Sequence, residues 1–191
     1  MVAKAPPELT LKLSRREALA ATSLLSGAVP NFASPPPSSA ALAVFRTREG
    51  RVLSQCRYRN AECFFAAIEE LRLADPGALL YQTGIVVQLA LSSHLLDVGF
   101  DDSWCARNIG LHIGKALAYA NATGLNYQSP ELDQLAVVLS PYNKWRNPDL
   151  DGSRPPAPTS LPNIPPLLRD LLDHVRGVTG HPRPRRRKAH G

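Results

Sequence analysis

The sequence predicts an all-α protein: a small helical bundle of about four helices, with disordered, proline-rich and basic termini. Three observations carry this. Apolar residues recur at helical spacing in four stretches between residues 61 and 139. Those stretches open on helix-capping residues or close on helix-stopping ones. Most of the 18 prolines fall in 30–37, 141–166 and 182–184, where compact helical structure should give way. The implied organisation is a leader over 1–43, a helical domain over 44–147, a proline-rich linker over 148–165, a short amphipathic helix over 166–177 and a basic tail over 178–191.

Each element follows from its residues. Residues 46–59 carry Arg46, Arg48, Arg51, Arg57 and Arg59 against Glu49 alone, with Val52, Leu53 and Tyr58 as apolar anchors. This reads as an extended arm or a short strand pair around Gly50. Asn60 is placed to cap a first helix from Ala61 to Ala74, with Cys63, Phe64, Ala67, Ile68 and Leu71 as its buried stripe. Asp75-Pro76 stops that helix and starts a second, running to Asp97. No charged residue lies between Asp75 and Asp97, but Gln82, Thr83, Gln88, Ser92, Ser93 and His94 are costly in lipid. The stripe Leu80, Gly84, Val87, Leu91, Leu95 instead marks a buried central helix, and no transmembrane helix is expected.

After a turn at 98–100, Asp101 or Asp102 caps a third helix, which runs unbroken to Ala122 and ends at Gly124. Its stripe is Cys105, Ile109, Ile113, Ala116, Leu117 and Ala120, and Gly110 and Gly114 would let a neighbouring helix approach closely. Ser129-Pro130 opens a fourth helix with Leu132, Leu135, Ala136 and Leu139 inward, which Pro141 ends or kinks. The last helix, Pro166 to Arg176, turns Leu167, Leu168, Leu171, Leu172 and Val175 to one side.

The formal net charge of +6 sits at the ends. Residues 1–43 carry +2, residues 44–180 carry −1, and residues 181–191 carry +5 from Arg183, Arg185, Arg186, Arg187 and Lys188. The body therefore lacks the basic excess of a nucleic-acid-binding face, and any anionic partner falls to the tail. Cys56, Cys63 and Cys105 form neither a CxxC nor a zinc-ligand spacing. One disulfide with one free thiol and three free thiols both fit.

Residues Ser14-Arg15-Arg16-Glu17-Ala18-Leu19-Ala20 precede a weakly apolar run to Val29, a proline- and serine-rich stretch over 31–39, and Ala41-Leu42-Ala43. This segment resembles the twin-arginine export signal, whose pattern is Ser-Arg-Arg-x-Phe-Leu-Lys, with Ala18 and Ala20 standing where the pattern has Phe and Lys. The resemblance implies that Ser14, Arg15, Arg16 and Leu19 are read by the twin-arginine export machinery. Ala41-Leu42-Ala43 offers an Ala-x-Ala cleavage site, with Ser39-Ala40-Ala41 as its rival, and the resemblance implies a periplasmic or extracytoplasmic location. The alternative is an ordinary amphipathic helix capped by Ser14, in a cytoplasmic protein.

The strongest chemical cluster is His94, Asp97, Asp101, Asp102 and His112, near Trp104. His94 and Asp97 share a helix face, and a hairpin would gather the aspartates, which suits a hard metal or a general acid–base pair. Each residue also has an ordinary role as cap, helix end or polar helix residue, and no metal is expected. Gly110-Leu-His-Ile-Gly114-Lys115-Ala116 misses the phosphate-loop spacing and its hydroxyl. The turn at 120–124 imitates helix-turn-helix, but Glu131 and Asp133 would meet phosphates. Asn121-Ala-Thr123 has only the form of a sequon. Gly-x-Ser-x-Gly, HExxH and dinucleotide fingerprints do not occur, so no cofactor is implied. The sequence favours a non-enzymatic exported protein that acts by binding or in the envelope. Its rivals are a cytoplasmic helical accessory protein whose basic ends contact nucleic acid or an acidic partner, and a small metal-dependent enzyme using the His94–Asp102 region.

Overall fold

The structure is a computed structural model that describes residues 11–12, 43–71, 75–146, 152 and 154–184. The expected leader residues Ser14, Arg15, Arg16, Leu19 and Ala41 lie outside the described residues, as do Arg185, Arg186, Arg187 and Lys188. Six α-helices form the body: α1 (Arg48–Leu71), α2 (Pro76–Val98), α3 (Asp102–Asn108), α4 (Ile113–Ala122), α5 (Pro130–Val138) and α6 (Ile164–Thr179). A 3-10 turn spans Tyr142–Trp145, and a two-residue antiparallel pairing joins Leu11–Lys12 (β1) to Ala43–Val44 (β2). The all-α class is as the sequence predicts.

The hub is α2, which packs against α1, α4, the 3-10 turn and α6. It is apolar nearly all round because it is surrounded nearly all round. Leu80, Gly84, Val87, Leu91 and Leu95 are all buried. By length and composition this helix could cross a membrane, yet 67% of its most apolar window is buried within this fold. Its ends are as the sequence predicts. Asp75 accepts hydrogen bonds from the Gly77 and Ala78 amides at 3.1 Å each, and Pro76 opens the helix. At the other end Gly99 (φ +111°) and Phe100 donate back to Leu96 and Leu95. A Cβ on Gly99 would also sit 2.3 Å from the Phe45 carbonyl oxygen, so only glycine fits.

The first helix departs most from expectation. Residues 48–59 are helical, not an extended arm, and Asn60 lies inside α1 rather than capping it. Thr47 is the local start: its Oγ1 accepts from the Gly50 amide at 2.9 Å and its carbonyl from Arg51 at 3.1 Å. The buried face is Ser54, Tyr58, Ala61, Glu62, Phe65 and Ile68. Cys63 and Phe64 of the expected stripe are exposed, Ala67 is half-buried and Ile68 is buried. This face can turn inward because its two polar groups find partners there, Ser54 on Ser93 and Glu62 on Tyr58 and Arg169.

The expected third helix is two. α3 ends at Asn108 and α4 begins at Ile113, with Gly110 (φ +59°) in the turn between. Gly110 therefore serves the backbone bend and not a close helix approach, since only the Ala106 carbonyl lies near its would-be Cβ, at 3.6 Å. Gly114 likewise faces only Ser140 Oγ, at 3.8 Å. The close approach occurs at Gly84, where a Cβ would meet the Tyr142 Cβ at 2.4 Å. The inward stripe from Cys105 to Ala120 is fully buried despite the break. Ser129 Oγ caps α5 at Leu132 N (3.2 Å), and Leu132, Leu135, Ala136 and Leu139 are buried.

α6 is longer than expected at both ends, and Ile164, Leu168, Leu171, Leu172 and Val175 belong to the same core as α2. Leu167 is half-buried. The chain after α6 does not leave the fold at once, because His181 is buried.

Candidate functional site

The polar residues inside this fold concentrate on one seam, where the inner face of α1 meets the end of α2 and the end of α6. The seam has three parts.

The first part is Asp97. It lies in the last turn of α2, where the helix dipole disfavours a negative charge. Two cations offset this. Arg46 Nη2 donates to Oδ2 and Arg51 Nη1 to Oδ1, both at 2.8 Å, while Arg46 Nε donates to the Asp97 carbonyl at 3.0 Å. The Asp97 side chain is 2% exposed, whereas the two arginine side chains keep about half of theirs in solvent. Arg51 also reaches the Thr179 carbonyl at 3.4 Å, so one carboxylate gathers the start of α1 and the ends of α2 and α6.

The second part is Ser54, Ser93 and His181. Ser54 Oγ donates to the Ser93 carbonyl at 2.6 Å and Ser93 Oγ donates to the Ser54 carbonyl at 2.9 Å. His181 Nε2 lies 2.6 Å from Ser54 Oγ. With the Ser54 proton committed to Ser93, the imidazole is the donor, which assigns the proton to Nε2. Burial pushes the His181 pKa down, opposed by Asp97 and helped by Arg51.

The third part is Glu62. Tyr58 Oη donates to Oε1 at 2.5 Å, Arg169 Nη2 to Oε2 at 2.7 Å, and Arg183 Nε lies 3.7 Å from Oε1. Arg169 also lies over the Phe65 ring, 4.6 Å from its centre. Burial, then the hydrogen bond to Glu62, raise the Tyr58 pKa well above the ordinary phenol. Arg183, expected in the tail, is paired with Asp173 as well.

The residues singled out from the sequence do not converge. His94 is 1% exposed, and its Nε2 contacts Thr123 Oγ1 at 3.2 Å. Its buried Nδ1 has no hydrogen-bond partner among the described residues. Burial pushes its pKa down to about 4, so it is neutral near pH 7. Asp101 caps α3 through the Trp104 amide at 2.9 Å and accepts from the Ser103 hydroxyl; both bonds lower its pKa. Asp102 pairs with Arg57 at 3.1 Å. His112 is exposed before α4, its pKa lowered by partial burial and by Lys115 and Lys144. Trp104 packs with Phe100 and Tyr119. Among the described residues, no group of three or more His, Cys, Asp and Glu side chains could hold a metal ion.

The contact between Ser54 and His181 looks like a nucleophile beside its base, but its polarity is wrong. Ser54 is fully buried, its proton points to a carbonyl, and the imidazole donates rather than accepts. Burial also pushes the Cys105 thiol up to about 12, which keeps it protonated and unreactive. The seam is thus a set of structural ties. Sequence reasoning missed Arg51, Ser54 and Glu62 as a set because their common helical face appears only once 48–59 is read as helix, and it missed Arg46 and Ser93 because their partners lie on other segments. It missed His181 because the partner lies 127 positions away.

The outer face of α1 differs. Arg48, Glu49, Val52, Leu53 and Cys56 line an open groove of about 380 Å³. Phe45, Val52 and Phe64 are large exposed apolar residues on or beside this helix. No family model, curated protein or solved structure matches the chain.

Proposed function

We propose that the chain is exported by the twin-arginine route and works outside the cytoplasm as a non-enzymatic binding protein. The observation that carries this reading is where the folded body begins. A chain cleaved after Ala43 starts at Val44 and retains the six described helices and the core they form among the described residues. That cleavage would part Val44 from its pairing with Leu11–Lys12 and leave the described helices intact. Binding is favoured over chemistry because the residues that would supply chemistry are engaged elsewhere: Asp97 by two arginines, Asp102 by Arg57, Asp101 at a helix cap and His94 in the core.

Fusing residues 1–48 to a reporter that is active only after export in a folded state tests the route. Signal should appear, and should vanish when Arg15→Lys and Arg16→Lys are combined, because the pair is read as arginines and not as charge. No signal from the unaltered segment, with intact Met1-bearing protein in the cytoplasm, would overturn the reading. The cytoplasmic alternative, in which Arg185–Lys188 meets an anionic partner, would then be favoured.

A further inference from the structure

We propose that residues 180–184 form an acid-released strap: the buried, neutral imidazole of His181 fastens the segment to α1, and protonation of that imidazole opens it while the helices stay folded. A hinge precedes the strap. Gly180 ends α6 at φ +70°, with nothing within 4 Å of its would-be Cβ. Pro182 and Pro184 have no N–H to donate, so side chains carry the attachment. His181 Nε2 lies 2.6 Å from Ser54 Oγ, Arg183 Nε lies 3.7 Å from Glu62 Oε1, and Arg183 Nη2 pairs with Asp173. The Arg183 side chain is 41% exposed, and ion pairs so open to water hold weakly. His181 is 3% exposed and is the deep anchor.

The anchor suits a neutral ring. The charged groups acting on it are Asp97 from α2 and Arg51 from α1, while α1 also sets the Tyr58 ring 6.0 Å from it and α6 sets Thr179 Oγ1 against the His181 amide at 3.4 Å. The strap's own Arg183 is turned to Glu62 and Asp173. Asp97 already accepts from Arg46 and Arg51, so a charged imidazole would be buried beside Arg51 and opposite a carboxylate that two cations have satisfied. Burial therefore pushes the folded value below 6.5, with Asp97 opposing and Arg51 adding to the fall. In the open segment the ring is in water and takes up its proton near the ordinary 6.5. The closed form is thus favoured above that value, and acid below it draws the segment open. A short segment at the edge of the fold opens far more readily than the core. Opening also frees Arg183 from its two carboxylates, so that it joins Arg185, Arg186, Arg187 and Lys188 in one run of five cations.

Nuclear magnetic resonance on isotope-labelled full-length protein tests this. The His181 and Arg183 amides report the strap, and Leu91 in α2 reports the body. Between about pH 7.5 and about pH 5 both strap amides should pass from the rigidity of α6 to fast motion, with the midpoint of the His181 ring titration, while Leu91 keeps its signal. His181→Gln keeps an uncharged donor near the position of Nε2 and should hold the strap closed across the range. His181→Ala should leave it mobile throughout. His94→Gln should leave the strap transition in place, since His94 bonds Thr123 and not the strap. Strap amides that stay rigid in acid would overturn the proposal. So would His181→Gln losing its order over the same interval, which would assign the opening to carboxylates, or Leu91 losing its signal together with the strap, which would mean that the whole fold yields. If the glutamine fails to close the strap even at neutral pH, the unaltered protein decides: a shared midpoint for ring and amides supports the strap, and separate midpoints overturn it.

Discussion

His181 Nε2 lies 2.6 Å from Ser54 Oγ, joining the residue just past α6 to the middle of α1. Both are buried. The chain after α6 is thus held by a hydrogen bond whose loss leaves a buried hydroxyl and a void. His181→Ala should cost about 1–3 kcal/mol of stability in urea unfolding. Ser54→Ala should cost less, because Ser93 keeps its own bond to the Ser54 carbonyl. The two changes should be non-additive by about 1 kcal/mol. Strict additivity would mean that the contact contributes nothing.

Acid should destabilise the fold in a definite window. Burial holds the folded His94 near 4, against an unfolded value of 6.5. Above about pH 6.5 both states are neutral and the contribution of His94 is intact. As pH falls from 6.5 toward 4 the unfolded chain takes up a proton that the folded chain refuses, and stability is lost. The full loss is about 3 kcal/mol. His181, also pushed down by burial, acts in the same direction. Melting temperature measured across this range should fall, and His94→Gln should flatten the slope. An unchanged slope would show that His94 titrates normally.

The clasp on Asp97 should be asymmetric. Asp97→Asn leaves Arg46 and Arg51, each about half exposed, free to be solvated, so the loss should be modest, about 1–2 kcal/mol. Arg46→Ala combined with Arg51→Ala leaves a buried carboxylate with no cation, and should cost more, about 3–5 kcal/mol. Denaturant unfolding of the three proteins checks the order. If the aspartate change costs more, the arginines are not what makes the buried charge tolerable.

Legibility from sequence followed the distance over which each element is decided. α2 was legible because its cap, its charge-free run and its glycine stop are all local: Asp75, Pro76 and Gly99 act within a few residues. α5 was legible for the same reason at Ser129 and Pro130. The first half of α1 was not. Its arginines look like a solvated arm until Asp97, 51 positions from Arg46, neutralises two of them. The break after α3 was hidden because the inward stripe keeps its phase across Gly110. As for the site, the sequence picked out Asp97 and His94 as unusual, and both are buried polar residues. The partners that turn them from chemistry to structure are Arg46 just before α1, Arg51 on α1 and Thr123, and no spacing rule joins those segments.

Two glycines should respond in opposite directions to the same change. Gly177 lies in α6 with nothing within 4 Å of its would-be Cβ. Alanine there removes the entropic cost of a glycine in the last helical turn and should add up to about 0.5 kcal/mol. Gly84 is also helical, but a Cβ would sit 2.4 Å from Tyr142 Cβ and 2.5 Å from Cγ. That contact involves the root of the side chain, so a rotamer change cannot relieve it, and the 3-10 turn must move off α2. Gly84→Ala should therefore lose about 1–3 kcal/mol. The displacement should also reach Trp145, which is buried in the same turn with its Nε1 donating to the Val138 carbonyl at 3.0 Å. A red-shifted tryptophan emission in the native protein would report it, against the unshifted spectrum of Gly177→Ala. Since helix propensity alone predicts a gain at both positions, a stabilised Gly84→Ala with unchanged emission would mean that α2 and the 3-10 turn are not in contact at this point.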